Sequence, residues 1–198
     1  MKRFLDLLYI FLSFPLTFFI LILLTITVLI NMGRPVFYTQ MRPGKNGKIF
    51  NVIKFRSMTN KKDSNGVICL DKERLTKFGN FLRSTSLDEL PSLWNVFKGE
   101  MSIVGPRPLL QQYLPLYSKR QARRHEIKPG VTGWAQINGR NAISWDEKLE
   151  LDIWYVDNQS TWLDMKILCL TLKTVIMRNG ISSNSHVTMD LFKGNHER

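Results

Sequence analysis

The sequence predicts an α+β fold, mainly α, tied to a membrane. Three observations predict it. Residues 4–30 hold no ionisable group except Asp6 and Tyr9, and about 20 apolar residues suffice to cross a bilayer. Strand-like alternation appears once, around a Pro-Gly and Asn-Gly turn, while most later segments carry helical spacing. The chain has 28 Lys+Arg against 16 Asp+Glu, a net charge of +12, which calls for an anionic partner. Its 198 residues suffice for one domain and a small extra element. The division predicted is a membrane helix over 1–32 and a cytoplasmic domain over 33–198.

The first helix contains Pro15, which removes a helical hydrogen bond and kinks or breaks a helix. Lys2 and Arg3 precede it and the basic remainder follows it. A straight span would place one basic end outside, against the positive-inside tendency. A re-entrant helix that bends near Ser13-Phe14-Pro15 satisfies both facts, with Ser13 bonding a freed carbonyl. A single-pass anchor with a tolerated proline is the alternative, and the residues alone leave both open.

A hairpin follows, with strands on either side of Arg42-Pro43-Gly44-Lys45-Asn46-Gly47. Lys54 and Arg56, two residues apart, share a strand face suited to phosphate or to solvent. Residues 59–71 are a polar loop, and Glu73–Arg83 has the spacing of an amphipathic helix. Leu109–Lys128 contains another, on which Lys119, Arg120, Arg123 and Arg124 gather on one face. That face is either solvated or laid on acidic lipid. No nucleic-acid motif accompanies it. Pro129-Gly130 ends the helix, and residues 131–141 form a glycine-punctuated loop. Ser144 and Glu147 make a capping box for a helix that sets Asp152 and Tyr155 one turn apart. Thr161–Arg178 is apolar but holds Asp164, Lys166 and Lys173, which suits an interfacial or domain-packed helix rather than a second span. Gly180 is its expected C-cap. Cys69 and Cys169 form no CxxC, and the three histidines have no ligand spacing, so zinc and disulfide frameworks are not expected.

The chemistry-bearing stretch is 78–108. Asp88-Glu89 lies between Arg83 and Arg107, and Arg107 sits in Val104-Gly105-Pro106-Arg107-Pro108. The bland explanation is a helix start, with Ser86 and Glu89 as a capping box. Pro91 favours a later start, with Asp88 as the cap. A carboxylate at a helix entrance stays ionised and can attack phosphorus through an acyl-phosphate. Mg²⁺ and arginines would offset the repulsion between two anions.

The ordered pieces Lys54-Phe-Arg-Ser-Met, Leu82-Arg-Ser-Thr-Ser-Leu-Asp-Glu-Leu-Pro, the stretch from Asn95 through Gly105-Pro106-Arg107-Pro108, and residues 124–141 together resemble the bacterial sugar transferases, the monotopic phosphoglycosyl transferases. The short chain resembles their small members, among them one that transfers phospho-N,N'-diacetylbacillosamine. The resemblance implies a catalytic domain with interfacial helices on the cytoplasmic face of the bacterial inner membrane. It implies a re-entrant first helix, although Phe14 here separates Ser13 from Pro15. It implies Asp88 as nucleophile, Glu89 as its partner, and Mg²⁺ on Asp88 and Glu89. Arg83, Arg107, Lys54, Arg56, Pro106, Pro108, Arg140 and Asp152 become the expected substrate-binding residues. The implied partners are a UDP-sugar, N-acetylated by resemblance, undecaprenyl phosphate and membrane lipids, with no nucleic acid. A homodimer is compatible with this reading. Two rivals stand beside it: a membrane phosphohydrolase using the same acids, and a non-catalytic basic module that binds acidic lipid or nucleic acid.

Overall fold

The computed structural model describes residues 1–67, 69–139, 143–177 and 191–194. Helix α1 (Lys2–Met32) leads into an antiparallel hairpin of β1 (Phe37–Pro43) and β2 (Ile49–Phe55), in register from Phe37 opposite Phe55 to Pro43 opposite Ile49. Short helices α2 (Asp71–Arg74) and α3 (Lys77–Ser84) follow, then a 3-10 turn over Leu87–Ser92 and α4 (Leu93–Lys98). Strand β3 (Ser102–Val104) pairs in parallel with β4 (Gly130–Thr132). Between them lie α5 (Lys119–Ala122) and two 3-10 turns, Gln111–Leu116 and Arg123–His125. Helices α6 (Trp134–Ile137), α7 (Trp145–Asn158) and α8 (Thr161–Met177) complete the described chain. The architecture is the expected mainly helical α+β with little sheet.

The main core gathers Phe50 and Val52 from the hairpin, Val96 from α4, Ile103 and Val104 from β3, Tyr155 from α7, and Leu163 and Ile167 from α8. A second cluster sets Leu24 and Val28 of α1 against Phe55 and Leu82. A third holds Leu109, Tyr113 and Leu149 around Phe192.

Helix α1 is long and apolar enough to cross a membrane. Its middle faces outward: Phe11, Leu12, Leu16 and Phe19 are each more than three-fifths exposed. Its two ends are held by the same domain. At the start, Lys2 pairs with Asp164 at 2.6 Å, Arg3 donates to the carbonyls of Val96 and Phe97, and buried Asp6 accepts from the Ser102 hydroxyl and the Ile103 amide. At the finish, the Arg56 guanidinium caps the carbonyls of Met32, Gly33 and Arg34. Around Pro15, the hydroxyls of Ser13 and Thr17 donate to the Ile10 and Ser13 carbonyls. The proline frees the Phe11 carbonyl, and Ser13 reaches the neighbouring one instead.

Several sequence expectations change. The helix expected over Glu73–Arg83 is broken, because Thr76 turns extended and caps α3 by accepting from the Gly79 amide. Gly79 does more than weaken a helix: a Cβ there would lie 1.9 Å from the Ser57 carbonyl oxygen, so its absence lets the segment that follows β2 press on α3. The helix expected within Leu109–Lys128 is short and interrupted, with Pro115 inside a 3-10 turn. Its basic face dissolves: Arg120 pairs with Glu150, Arg123 with Glu126 and Asp157, and Arg124 is buried. Residues 131–139 are not simply a loop, since they complete β4 and form α6. The Ser144–Glu147 capping box forms in both directions. Gly180 lies outside the described residues.

Candidate active site

Asp88 and Glu89 are the second and third residues of the 3-10 turn. The turn corrects the idea of Asp88 as a helix cap. Ser86 occupies the left-handed region (φ 57°) and caps nothing with its side chain. Pro91 cannot donate a helical bond, so the segment closes with the tighter i→i−3 pattern, Glu89 amide to Ser86 carbonyl at 3.2 Å. The capping box fails for a second reason, because the Glu89 carboxylate is engaged elsewhere.

Glu89 Oε1 accepts from Lys54 Nζ at 2.6 Å and from Arg107 Nη2 at 2.5 Å, while Oε2 accepts from Arg107 Nη1 at 3.2 Å. Burial alone would raise its pKa, but Arg107 and Lys54 together hold it far below the usual carboxylate range. Asp88 is 8% exposed, and among the described residues its carboxylate has no hydrogen-bond partner. Burial, then the adjacent Glu89 charge, pushes its pKa up to about 6, against the pull of Lys54, Arg107 and Arg83. One acid is therefore a locked anion that gathers cations, and its neighbour is an unengaged carboxylate among them. Both line a cavity of about 700 Å³ together with Lys54, Arg83, Arg107 and Pro108.

Each cation is placed by a distinct device. Lys54 comes from β2, whose edge is stitched to α4 by fully buried Asn95. The Asn95 amide accepts from the Ile53 N–H at 3.1 Å and donates to the Asn51 carbonyl and to Glu100, each at 2.7 Å. Arg83 leaves the end of α3 and donates to the Ser57 hydroxyl at 2.9 Å. The run Lys54–Met58 is thereby explained: Lys54 meets Glu89, Phe55 enters the core, Arg56 caps α1, Ser57 meets Arg83 and Gly79, and Met58 bridges Leu75. Lys54 and Arg56 both line the cavity, but the Arg56 charge is directed at the end of α1.

Arg107 stands on a turn built by backbone contact. A Cβ on Gly105 would lie 2.5 Å from the Lys128 carbonyl oxygen, one on Gly130 would lie 2.1 Å from the Gly105 nitrogen, and one on Gly133 would lie 2.1 Å from the Gly105 oxygen. Three glycines thus let two strands approach more closely than side chains permit. Pro106 is buried and does not line the cavity, and its carbonyl accepts from the Gly130 amide at 3.0 Å. Arg124 then grips the Arg107 carbonyl at 2.6 Å and is itself held by Asp152 at 2.7 and 3.1 Å. That ion pair is almost fully buried, with side chains 1% and 3% exposed. Asp152 lines the cavity itself and is tied to the Arg107 turn through Arg124. Sequence reasoning missed Asn95 and Arg124; the signal available was their place inside the two longest motif stretches. Arg140 lies outside the described residues.

An open carboxylate thus lies beside a cation-bound one in a basic cavity, in a chain whose first helix is long and apolar enough to cross a membrane. Residues 1–178 match the sequence profile of the family described as bacterial sugar transferase, and the chain belongs to that family. It is 58% identical over 176 residues to the uncharacterized sugar transferase EpsL of Bacillus subtilis, covering 88% of this chain and 87% of EpsL. It is 45% identical to the galactosyl transferase CpsE of Streptococcus agalactiae, covering 75% of this chain and 36% of CpsE. It is 40% identical to the undecaprenyl-phosphate galactose phosphotransferase of Salmonella typhimurium, covering 75% and 35%. The chain thus spans most of EpsL but about a third of the two longer relatives.

Proposed function

We propose that the chain transfers a sugar 1-phosphate from a UDP-sugar to undecaprenyl phosphate and releases UMP, through an aspartyl-phosphosugar on Asp88. The observation that carries this reading is the buried Asp88 carboxylate, open to the cavity and flanked by Lys54, Arg83 and Arg107. A carboxylate left without a partner among cations is positioned to attack rather than to stabilise the fold. The names of similar chains, which include undecaprenyl-phosphate galactose and glucose transferases, support the reaction class.

In the first step an Asp88 oxygen forms a bond to the sugar-bearing phosphorus. The bond from that phosphorus to the bridging oxygen breaks, and UMP departs with the electron pair. In the second step a phosphate oxygen of the lipid attacks the same phosphorus, and the Asp88 carboxylate leaves unchanged. Arg83 and Arg107 would grip the transferred phosphoryl group. Glu89 serves as the fixed counter-charge that orients Arg107 and Lys54.

The donor set suits Mg²⁺ in one respect, since this ion takes one or two carboxylates plus substrate phosphates. Asp88 would hold it, while Glu89 has both oxygens committed to Lys54 and Arg107. Bound there, the ion would neutralise charge on the diphosphate.

The re-entrant path of α1 belongs to the same proposal. Support comes from the two ends of the helix, both fastened to one domain while its middle stays exposed and apolar. This arrangement would keep the catalytic domain at the cytoplasmic face of the inner membrane, where a lipid phosphate and a soluble nucleotide sugar can meet. The N-acetylated sugar rests on the sequence resemblance, while relatives' names specify galactose and glucose.

The test is UMP release from a panel of UDP-sugars, with and without undecaprenyl phosphate. Sustained release that requires the lipid, with one preferred sugar appearing as a lipid diphosphate product, is the expected result. Equal sustained turnover without lipid would make the chain a phosphohydrolase instead.

A further inference from the structure

Among the cations that line the cavity without a part in the chemistry above are Arg42 and Lys148. Arg42 comes from β1 and Lys148 from α7, and both line the cavity with Arg107. Arg42 donates to the neutral Gln40 side chain at 2.6 Å, and among the described residues no carboxylate is within ion-pair distance of it. Burial, then Arg107, lowers the pKa of Arg42; burial, then Arg107, brings Lys148 down to about 8. Three cations from separate parts of the chain thus share this wall; Glu89 and Asp152 offset part of their repulsion, and a bound anion would offset more.

The same wall carries aromatic surface. Lys148 Nζ lies 5.1 Å from the centre of the Trp145 ring. Trp145 meets Tyr113 edge to face at 5.4 Å, and both rings line the cavity. Phe192 braces them, with centroids 5.7 Å from Tyr113 and 5.3 Å from Trp145. Phe192 lies beyond the residues that match the family profile.

We propose that Arg42, Lys148 and Arg107 seat the nucleotide's own phosphate, with Trp145 as the wall for its base. The ligand class is a nucleoside 5'-monophosphate, held as the outer half of the donor and then as the leaving group. The inference rests on the transferase reading and deepens it. In a nucleoside diphosphate sugar the two phosphorus atoms share one bridging oxygen. With the sugar-bearing phosphorus at Asp88, the other must lie immediately beside it. Arg107 already reaches Glu89, next to Asp88, and so spans both positions. Cations at the outer phosphate also stabilise the charge that grows there as the bridging bond breaks. An aromatic face accepts a base by stacking.

The test uses equilibrium binding of UMP and of uridine to the full chain in detergent, in an Asp88→Asn background that cannot turn over. No transfer is needed, so failure here is distinct from failure of the transferase reading. Arg42→Gln and Lys148→Gln should each weaken UMP binding about 10-fold or more, as loss of a charge-assisted bond predicts, and leave uridine affinity unchanged. Arg42→Lys should recover part of the loss. Equal UMP affinity in all variants overturns the proposal, as does the absence of UMP binding before either cation is changed. Parallel loss of UMP and uridine also overturns it, because that pattern marks a structural defect. A companion assay of transfer in the Asp88 protein gives the last discriminator. A rise confined to the KM for undecaprenyl phosphate, with UMP binding intact, would assign the cations to the lipid and contradict the proposal.

Discussion

Asp88 carries a carboxylate whose pKa rises from 3.8 to about 6 on burial beside Glu89. A group whose folded pKa is raised favours folding when protonated. Its stabilising contribution is complete below about pH 4 and is lost as pH rises through 6, by up to roughly 3 kcal/mol. At neutral pH the ionised Asp88 therefore costs stability. Asp88→Asn should raise the melting temperature at pH 7.5 while lowering transfer by a factor of at least ~1,000, the scale of losing a nucleophile. Thermal melts and UMP release check the two halves separately. Because the attacking group must be ionised, the rate in the folded protein should fall about tenfold per pH unit below 6. Glu89 behaves oppositely. Its pKa is depressed by Arg107 and Lys54 despite burial, so its contribution is complete above the ordinary carboxylate range and is lost progressively as pH falls below it.

The elements around these acids are positioned by groups with little chemistry of their own. Gly105→Ala would push a methyl group into the Lys128 and Gly130 backbone, at 2.5 and 2.8 Å. Overpacking against backbone costs about 1–3 kcal/mol or more, and here it would also displace the Arg107 turn. We expect a lower melting temperature together with a reduced kcat. Asn95→Ala would leave the Ile53 amide and the Asn51 carbonyl without their buried partner, at a cost of about 1–3 kcal/mol, read by denaturant unfolding. Much of this level was legible in the sequence. The hairpin followed from Asn46-Gly47 and the alternation around it, and α7 followed from Ser144 and Glu147. The parallel β3–β4 pair was not legible, because three-residue strands leave no periodicity and their pairing depends on glycines twenty-five residues apart. The fate of the basic run was also hidden. Helical spacing placed Arg124 beside Arg120 and Arg123, but only tertiary packing buries it against Asp152 and pairs the other two with acids. The grouping of Asp88 with Arg83 and Arg107 at one cavity was legible as a set, whereas the different surroundings of the two adjacent acids required the positions of Lys54 and Arg107.

At the scale of the whole molecule, α1 is a long apolar helix whose two ends grip one domain through Lys2, Arg3 and Asp6 at the start and Arg56 at the finish. If both ends lie on the cytoplasmic side, a cysteine at position 2 in cells should react with reagents applied to that side and resist periplasmic ones. Labelling from the periplasm alone would contradict the re-entrant path. A re-entrant path would also bring the basic cavity to the membrane surface, where both proposed substrates are anions and one is a lipid. Covalent capture asks whether sugar phosphate passes through Asp88. The purified protein is incubated with a UDP-sugar labelled with ³²P in the sugar-proximal phosphate, without lipid phosphate, and the label on the protein is counted. Labelled protein and free UMP are expected, with no label on the Asp88→Asn variant, and the label should move into lipid when undecaprenyl phosphate is added. Lipid product formed at the normal rate by Asp88→Asn, with no label on protein at any time, would contradict passage through Asp88.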